Sequence, residues 1–265
     1  MTETLEAAPR SAAAPDGSLL RHWLLRPADT SLVLAQQLGG WVGHAPALEE
    51  DLGLANIALD LLGQARWLLS YCAELEGQGR TEDDLAFGRE ASEFRNLALA
   101  EQPNGDFACT IVRQMLLDAY QLGLYQALQS SRDARLAQLA ARALKETQYH
   151  FRYSSHWLVR LGDGTTESHS RAQAGLQLLW RFTGELFIPD ELDEAMCAAG
   201  IAPPPADLQV GWMQRVTAVL REATLEQPSE VPYRWHGKRG EHGEHLGLLL
   251  AEMQSLHRAH PGAHW

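Results

Sequence analysis

Cysteine is scarce: Cys72, Cys109 and Cys197 are the only three in 265 residues, far apart and without a CxxC pair. That excludes a disulfide framework and a thiolate metal site, and it suits a reducing, cytoplasmic compartment. Positive charge is thin as well, with 22 Lys and Arg against 34 Asp and Glu, a net charge of −12, and no basic run longer than Lys238-Arg239. Counterion release from a phosphate backbone needs clustered cations, which argues against nucleic acid as a partner. No stretch of about 18 apolar residues offers a membrane span, and the N-terminal tail, residues 1–18, lacks the apolar stretch of a signal peptide. That tail is expected to be disordered ahead of one domain over 19–265. Nucleophile elbow, Walker loop and dinucleotide fingerprint are all missing.

What remains is helix. Leu, Ala, Glu, Gln and Arg recur at helical spacing, and β-branched runs are almost absent, so the chain is expected to be all-α. The punctuation predicts helices over about 29–41 (capped by Asp29 or Thr30), 47–76, 92–100, 106–129, 133–161, 168–187, 190–199, 207–225 and 246–257. Thr81 to Asp84 reads as a surface connection, and 228–243, rich in Gly, Pro and aromatics, as irregular. The three residues between the helices over 106–129 and 133–161 are short enough to make those two an antiparallel hairpin.

Two apolar stripes share the helix over 47–76: Leu48, Leu52, Ala55, Leu59 and Leu62 beside Leu54, Ile57, Leu61, Ala65, Leu68 and Cys72. Such breadth predicts burial on most sides. The same helix carries Asn56, Asp60 and Gln64 at i, i+4 steps, a wet face or a polar line inside a bundle. Asp118 sits in the stripe Ile111, Met115, Leu122, Tyr125, and Glu146 and His150 sit in the stripe Leu139, Ala143, Tyr153, Trp157. Carboxylates and a histidine are therefore expected to converge between helices.

Inward carboxylates and histidines are the ingredients of a di-iron bundle, whose pattern is a Glu from two helices and Glu-x-x-His from two others. Here Glu146 is followed at i+3 by Tyr149, His150 comes only at i+4, and neither Asp60 nor Asp118 has a His at i+3. Two readings follow. One is an independent carboxylate-bridged iron oxygenase using Asp60, Asp118, Glu146 and His150. The other, favoured by the incomplete set, is a structural pairing of Glu146 with His150 alongside Arg or Lys partners. Glu241-His-Gly-Glu-His245 lacks the HExxH order and reads as a solvated loop or interface histidines. Of eight tryptophans, Trp41, Trp180, Trp235 and Trp265 are placed where aromatics either anchor partners or pack a core.

Several segments together resemble one family: Trp41-Val-Gly-His-Ala-Pro46, Asp51-Leu-Gly-Leu-Ala-Asn-Ile-Ala-Leu-Asp-Leu-Leu-Gly-Gln-Ala-Arg66, Glu101-Gln-Pro-Asn-Gly105, Lys145-Glu-Thr-Gln-Tyr-His150, Leu179-Trp-Arg-Phe-Thr183, Glu244-His-Leu-Gly247 and Leu250-Ala-Glu-Met-Gln254. Spread from about Asp29 to Trp265, they resemble the non-catalytic C subunits of bacterial 1,2-phenylacetyl-CoA epoxidases. The resemblance implies a ferritin-like bundle with a long central helix pair, extra short helices and an irregular C-terminal segment. It implies no cofactor in this subunit and a homologous di-iron catalytic subunit as partner. The complex it implies also holds a small bridging subunit, and a reductase with flavin and iron–sulfur centres draws electrons from NADPH. The resemblance also points to Glu93, Phe94, Arg95 and Asn96, and more weakly Asp193 and Glu194, as the side facing phenylacetyl-CoA. Asp60, Asp118, Glu146 and His150 would then be remnants of a ligand set.

Overall fold

The computed structural model describes residues 17–229, 233 and 235–263, and all of its regular structure is helical. Nine α-helices occur among the described residues: α1 Gly17–Gly39, α2 Leu48–Glu76, α3 Glu82–Phe87, α4 Phe107–Leu128, α5 Ala134–Gly162, α6 Thr166–Trp180, α7 Glu191–Ala198, α8 Pro205–Glu222 and α9 Glu244–Ala259. Two antiparallel hairpins, α1/α2 and α4/α5, make the most extensive contacts and form a ferritin-like bundle. α6 and α8 flank α4, and α9 lies against α1 and α3. Buried apolar residues from Leu20 to Leu250 join in one cluster. No helix among the described residues is long and apolar enough to cross a membrane.

Helix starts follow capping chemistry. Asp106 accepts from Cys109 N, Asp133 from Leu136 N, and Asp190 from Leu192 N and Asp193 N, satisfying backbone donors that the first turn leaves open. Thr81, expected in a surface connection, instead closes a capping box with Asp84 and starts α3.

Two further expectations change. The first helix does not start at Asp29; it starts at Gly17 and runs through Pro27, so the tail boundary moves too, and residues 1–16 lie outside the described residues. Proline in a helix interior removes a hydrogen bond, but here Leu20, Trp23, Leu24 and Leu25 on the turns before it are buried and hold the helix together. Asp29 caps nothing. Its fully buried carboxylate accepts from both terminal nitrogens of Arg89 and, at 2.8 Å, from Arg95 N.

The expected helix over 92–100 is a 3-10 turn, Ala91–Glu93, followed by an irregular segment buried from residue 96 to 102. Buried loops must place their amides, and this one gives them to other elements: Leu97 N donates to Thr30 Oγ1 (3.1 Å) and Ala98 N to Glu185 (2.8 Å). These tertiary acceptors outweigh the segment's helical composition.

In α2 only one of the two apolar stripes is inside. Leu54, Ile57, Leu61, Ala65, Leu68 and Cys72 are buried, whereas Leu48, Leu52, Leu59 and Leu62 stand 71, 57, 64 and 41% exposed. The expectation of burial on most sides therefore fails on the outer face.

Removing Arg89 strands Asp29 in the core, and an uncompensated buried charge costs roughly 3–5 kcal/mol, against a smaller loss when both partners become apolar. Arg89→Met is thus expected to be less stable than the double variant Arg89→Met/Asp29→Leu by urea denaturation.

Candidate functional site

The polar residues singled out on the long helices do meet, but in pairs. α2 and α5 run antiparallel with Gly53 facing Tyr153, where a Cβ would come within 2.9 Å of the ring, so a larger residue at 53 would make that ring shift. Two turns further along α2, Asp60 Oδ2 lies 3.0 Å from His150 Nε2. Another turn on, Gln64 donates from Nε2 to Glu146 at 3.0 Å and accepts at Oε1 from the Tyr125 hydroxyl at 3.2 Å. The line Asn56, Asp60, Gln64 therefore runs from solvent into the bundle: Asn56 is exposed, Asp60 half-buried and Gln64 buried.

The expected pairing of Glu146 with His150 does not occur. His150 takes Asp60, and Glu146 takes Gln64 with Arg142 at 3.9 Å. An i, i+4 spacing aligns two side chains along one helix, yet each here points across to its neighbour on α2. Burial depresses the His150 imidazole below its ordinary value, opposed by Asp60, and burial raises Glu146, partly offset by Gln64.

Asp118 is the third member and sits apart. It is fully buried on α4, accepting from Gln114 Nε2 and Ser154 Oγ, each at 2.7 Å. Burial pushes its carboxyl up to about 8, only partly opposed by those two donors. It is thus held largely as the neutral acid at neutral pH.

This donor set does not fit a dinuclear iron centre. Carboxylate bridging needs ionised oxygens free to coordinate, but Asp118 is held protonated by burial, His150 is committed through Nε2 to Asp60, and Gln64 and Gln114 offer amides. Among the described residues no three His, Cys, Asp or Glu side chains gather as a metal site.

A second polar cluster, missed as such in the sequence, ties the C-terminal segment to the bundle. Glu101, with no exposed surface, accepts from Asn96 Nδ2 (3.0 Å) and Gly243 N (2.7 Å) and pairs with His242 Nδ1 (2.8 Å); His242 Nε2 lies 3.0 Å from Phe94 O. His242 is therefore no solvated loop residue, contrary to the expectation for 241–245. Burial lowers its ionisation but the two acceptors raise it further, leaving the imidazolium favoured beyond its ordinary range. The rest of the Glu101–Gly105 motif is equally structural. Buried Arg113 donates to Gln102 O (2.5 Å) and Asn104 Oδ1 (2.6 Å), and Asn104 Nδ2 to Gln37 O (2.7 Å). Gly105 adopts φ +59°, a left-handed turn suited to glycine.

Of the residues expected toward an acyl-CoA, Phe94 is fully enclosed beneath the Arg89 guanidinium (4.3 Å), and Asn96 is equally buried on Glu101. Arg95 turns its Nη1 back onto Ser92 O and Phe94 O, and Glu93 is exposed. Asp193 is buried, holding Arg26 and Lys238 at 2.8 Å each and the Trp23 indole at 3.3 Å, while Glu194 is exposed. Of the tryptophans singled out, Trp180 is buried and Trp41 and Trp235 are half-buried against the core. Trp41 donates to Thr110 Oγ1 at 3.0 Å, Trp180 stacks with Trp212 at 5.7 Å and Trp235 with Phe182 at 4.9 Å; Trp265 lies outside the described residues.

With this geometry in view, residues 3–265 match the family described as Phenylacetic acid catabolic protein. The chain belongs to that family. It is 54% identical over 246 residues to the C subunit of the 1,2-phenylacetyl-CoA epoxidase of Escherichia coli (strain K12), a match covering 93% of this chain and 99% of that protein. Membership implies a role in phenylacetate catabolism, and the relative's name as one subunit implies other subunits.

Two outcomes follow for the phenylacetate-catabolic bundle. Because the Asp118 carboxyl is raised in the fold, its contribution is complete below the unfolded value near 4 and is lost as pH climbs toward 8, in total on the order of 5 kcal/mol. Asp118→Asn is therefore expected to flatten the fall in urea midpoint between pH 5 and 8. His242 is likewise raised, so its contribution is present below about 6.5 and fades above it. Amide exchange in α9 is expected to quicken over that range in the wild type and to be fast at every pH in His242→Ala.

Proposed function

We propose that this chain is the structural, non-catalytic subunit of a multicomponent cytoplasmic 1,2-phenylacetyl-CoA epoxidase, and that it supports a homologous di-iron catalytic subunit. One observation carries the proposal: the side chains that would ligate iron in a bundle of this shape are each consumed by a neighbour, Asp60 by His150, Glu146 by Gln64 and Asp118 by Ser154 and Gln114. A bundle so closed serves as a rigid body rather than as an oxygen-activating centre. The three free cysteines, two of them buried, accord with a reducing compartment.

On this reading the iron belongs to the catalytic subunit, electrons reach it from an NADPH-dependent reductase with flavin and iron–sulfur centres, and the assembly also includes a small bridging subunit. If the chain borders the acyl-CoA, exposed Glu93 and Glu194 and the half-buried Arg95 can reach it without unpacking the fold, whereas Phe94 and Asn96 serve the fold itself.

Purified alone, the chain is expected to bind iron well below stoichiometry. In the reconstituted epoxidase, His150→Ala is expected to lower the thermal midpoint of this subunit while turnover in the assembled complex persists. About two irons per chain with oxygen-dependent turnover by this chain alone, or loss of turnover in an intact His150→Ala complex, would refute the proposal.

A further inference from the structure

Pro27 lies in the interior of α1 and has no N–H, so the carbonyl of Trp23, one turn earlier, loses the donor that the helix ladder would give it. The gap is internal. Trp23 and Pro27 are both buried, and they border a cavity of about 30 Å3 together with Arg26 of the same helix, Gln121 of α4, Leu208 of α8 and Lys238 of the C-terminal segment.

Two of the bordering side chains, Arg26 and Gln121, are more than nine-tenths buried, yet each keeps one atom without a hydrogen-bond partner among the described residues. Arg26 spends Nη1 on Asp193 (2.8 Å) and Nη2 on Asp190 (2.6 Å), which leaves Nε. Gln121 leaves Oε1. Buried donors and acceptors are paired in nearly every folded protein, because an unpaired one forfeits its hydration with nothing in return. One donor and two acceptors thus belong to residues around a single cavity.

Size and charge select the ligand. A water needs roughly 10–15 Å3, so the cavity takes one or two and is too small for an organic molecule. An anion has no cation left to neutralise, since Asp190 and Asp193 already match Arg26 and Lys238, and a cation would face the Arg26 guanidinium. We propose that the cavity is a binding site for an ordered water molecule, which accepts from Arg26 Nε and donates to Gln121 Oε1 and the Trp23 carbonyl. Three hydrogen bonds are the usual complement of a buried water. This water replaces the bond that Pro27 withholds and ties the middle of α1 to α4.

A high-resolution crystal structure of the wild-type chain is expected to show a density peak in this cavity within about 2.7–3.2 Å of at least two of the three atoms. Gln121→Leu is expected to lose the peak and to lower the thermal midpoint by a few degrees. Pro27→Ala returns an N–H to the helix ladder, so the Trp23 carbonyl no longer depends on the water, and in that background Gln121→Leu is expected to lower the midpoint less. A cavity without density, or a peak that bonds fewer than two of the three atoms, overturns the site. Equal losses in the two backgrounds overturn the link to Pro27. Should Gln121→Leu fail to fold, the wild-type density decides alone.

Discussion

A carboxylate brought into a helical bundle must either meet a donor or give up its charge, and the internal architecture here is a set of answers to that requirement. Asp29 keeps its charge by taking Arg89 and a backbone amide. Asp190 does so with Arg26 at 2.6 Å, and although burial alone would raise it, that guanidinium and nearby amides hold it at about 2. Asp118 has no cation and is pushed to about 8 instead. Each solution fixes one junction: α1 to the segment after α3, α1 to α7, and α4 to α5. The bundle is thus registered by polar contacts at its seams and filled by leucine between them.

The same requirement shapes the segment between α3 and α4. It has no regular structure over 94–105, yet most of it is buried. It survives there because Asp29, Thr30, Glu101 and Glu185 accept its amides or side chains and Arg113 clamps Gln102 and Asn104. Motifs that looked like candidate binding residues are largely the fittings of this loop. Glu101 is the point where two of these fittings join, since it also receives the C-terminal segment through His242 and Gly243.

Helix positions are legible in the sequence wherever a capping residue or a Gly break marks them: α2, α4, α5 and α7 fall within a residue or two of their expected bounds, because Asp106, Asp133 and Asp190 act through local geometry alone. The expected α1 is too short because Asp29 and Thr30 have the chemistry of a cap, and the packing of Leu20, Trp23 and Leu24 that carries the helix back to Gly17 depends on other elements. The polar line on α2 is visible in the sequence, but its partners are not. Periodicity says which residues share a face, not which residue on another helix they meet, so the pairing of His150 with Asp60 rather than with Glu146 could only come from the three-dimensional arrangement.

The outer leucines of α2 show where sequence reasoning about burial needs a finer measure than breadth. Two apolar stripes on one helix predict burial all round, yet stripes of the same spacing meet different surroundings. The inner one, Leu54, Ile57, Leu61, Ala65, Leu68 and Cys72, tracks the bundle's own core. The outer one keeps a heptad spacing from Leu48 to Leu62 that nothing among the described residues covers. Spacing says which residues share a face of a helix, and the neighbouring helices decide which of those faces is covered.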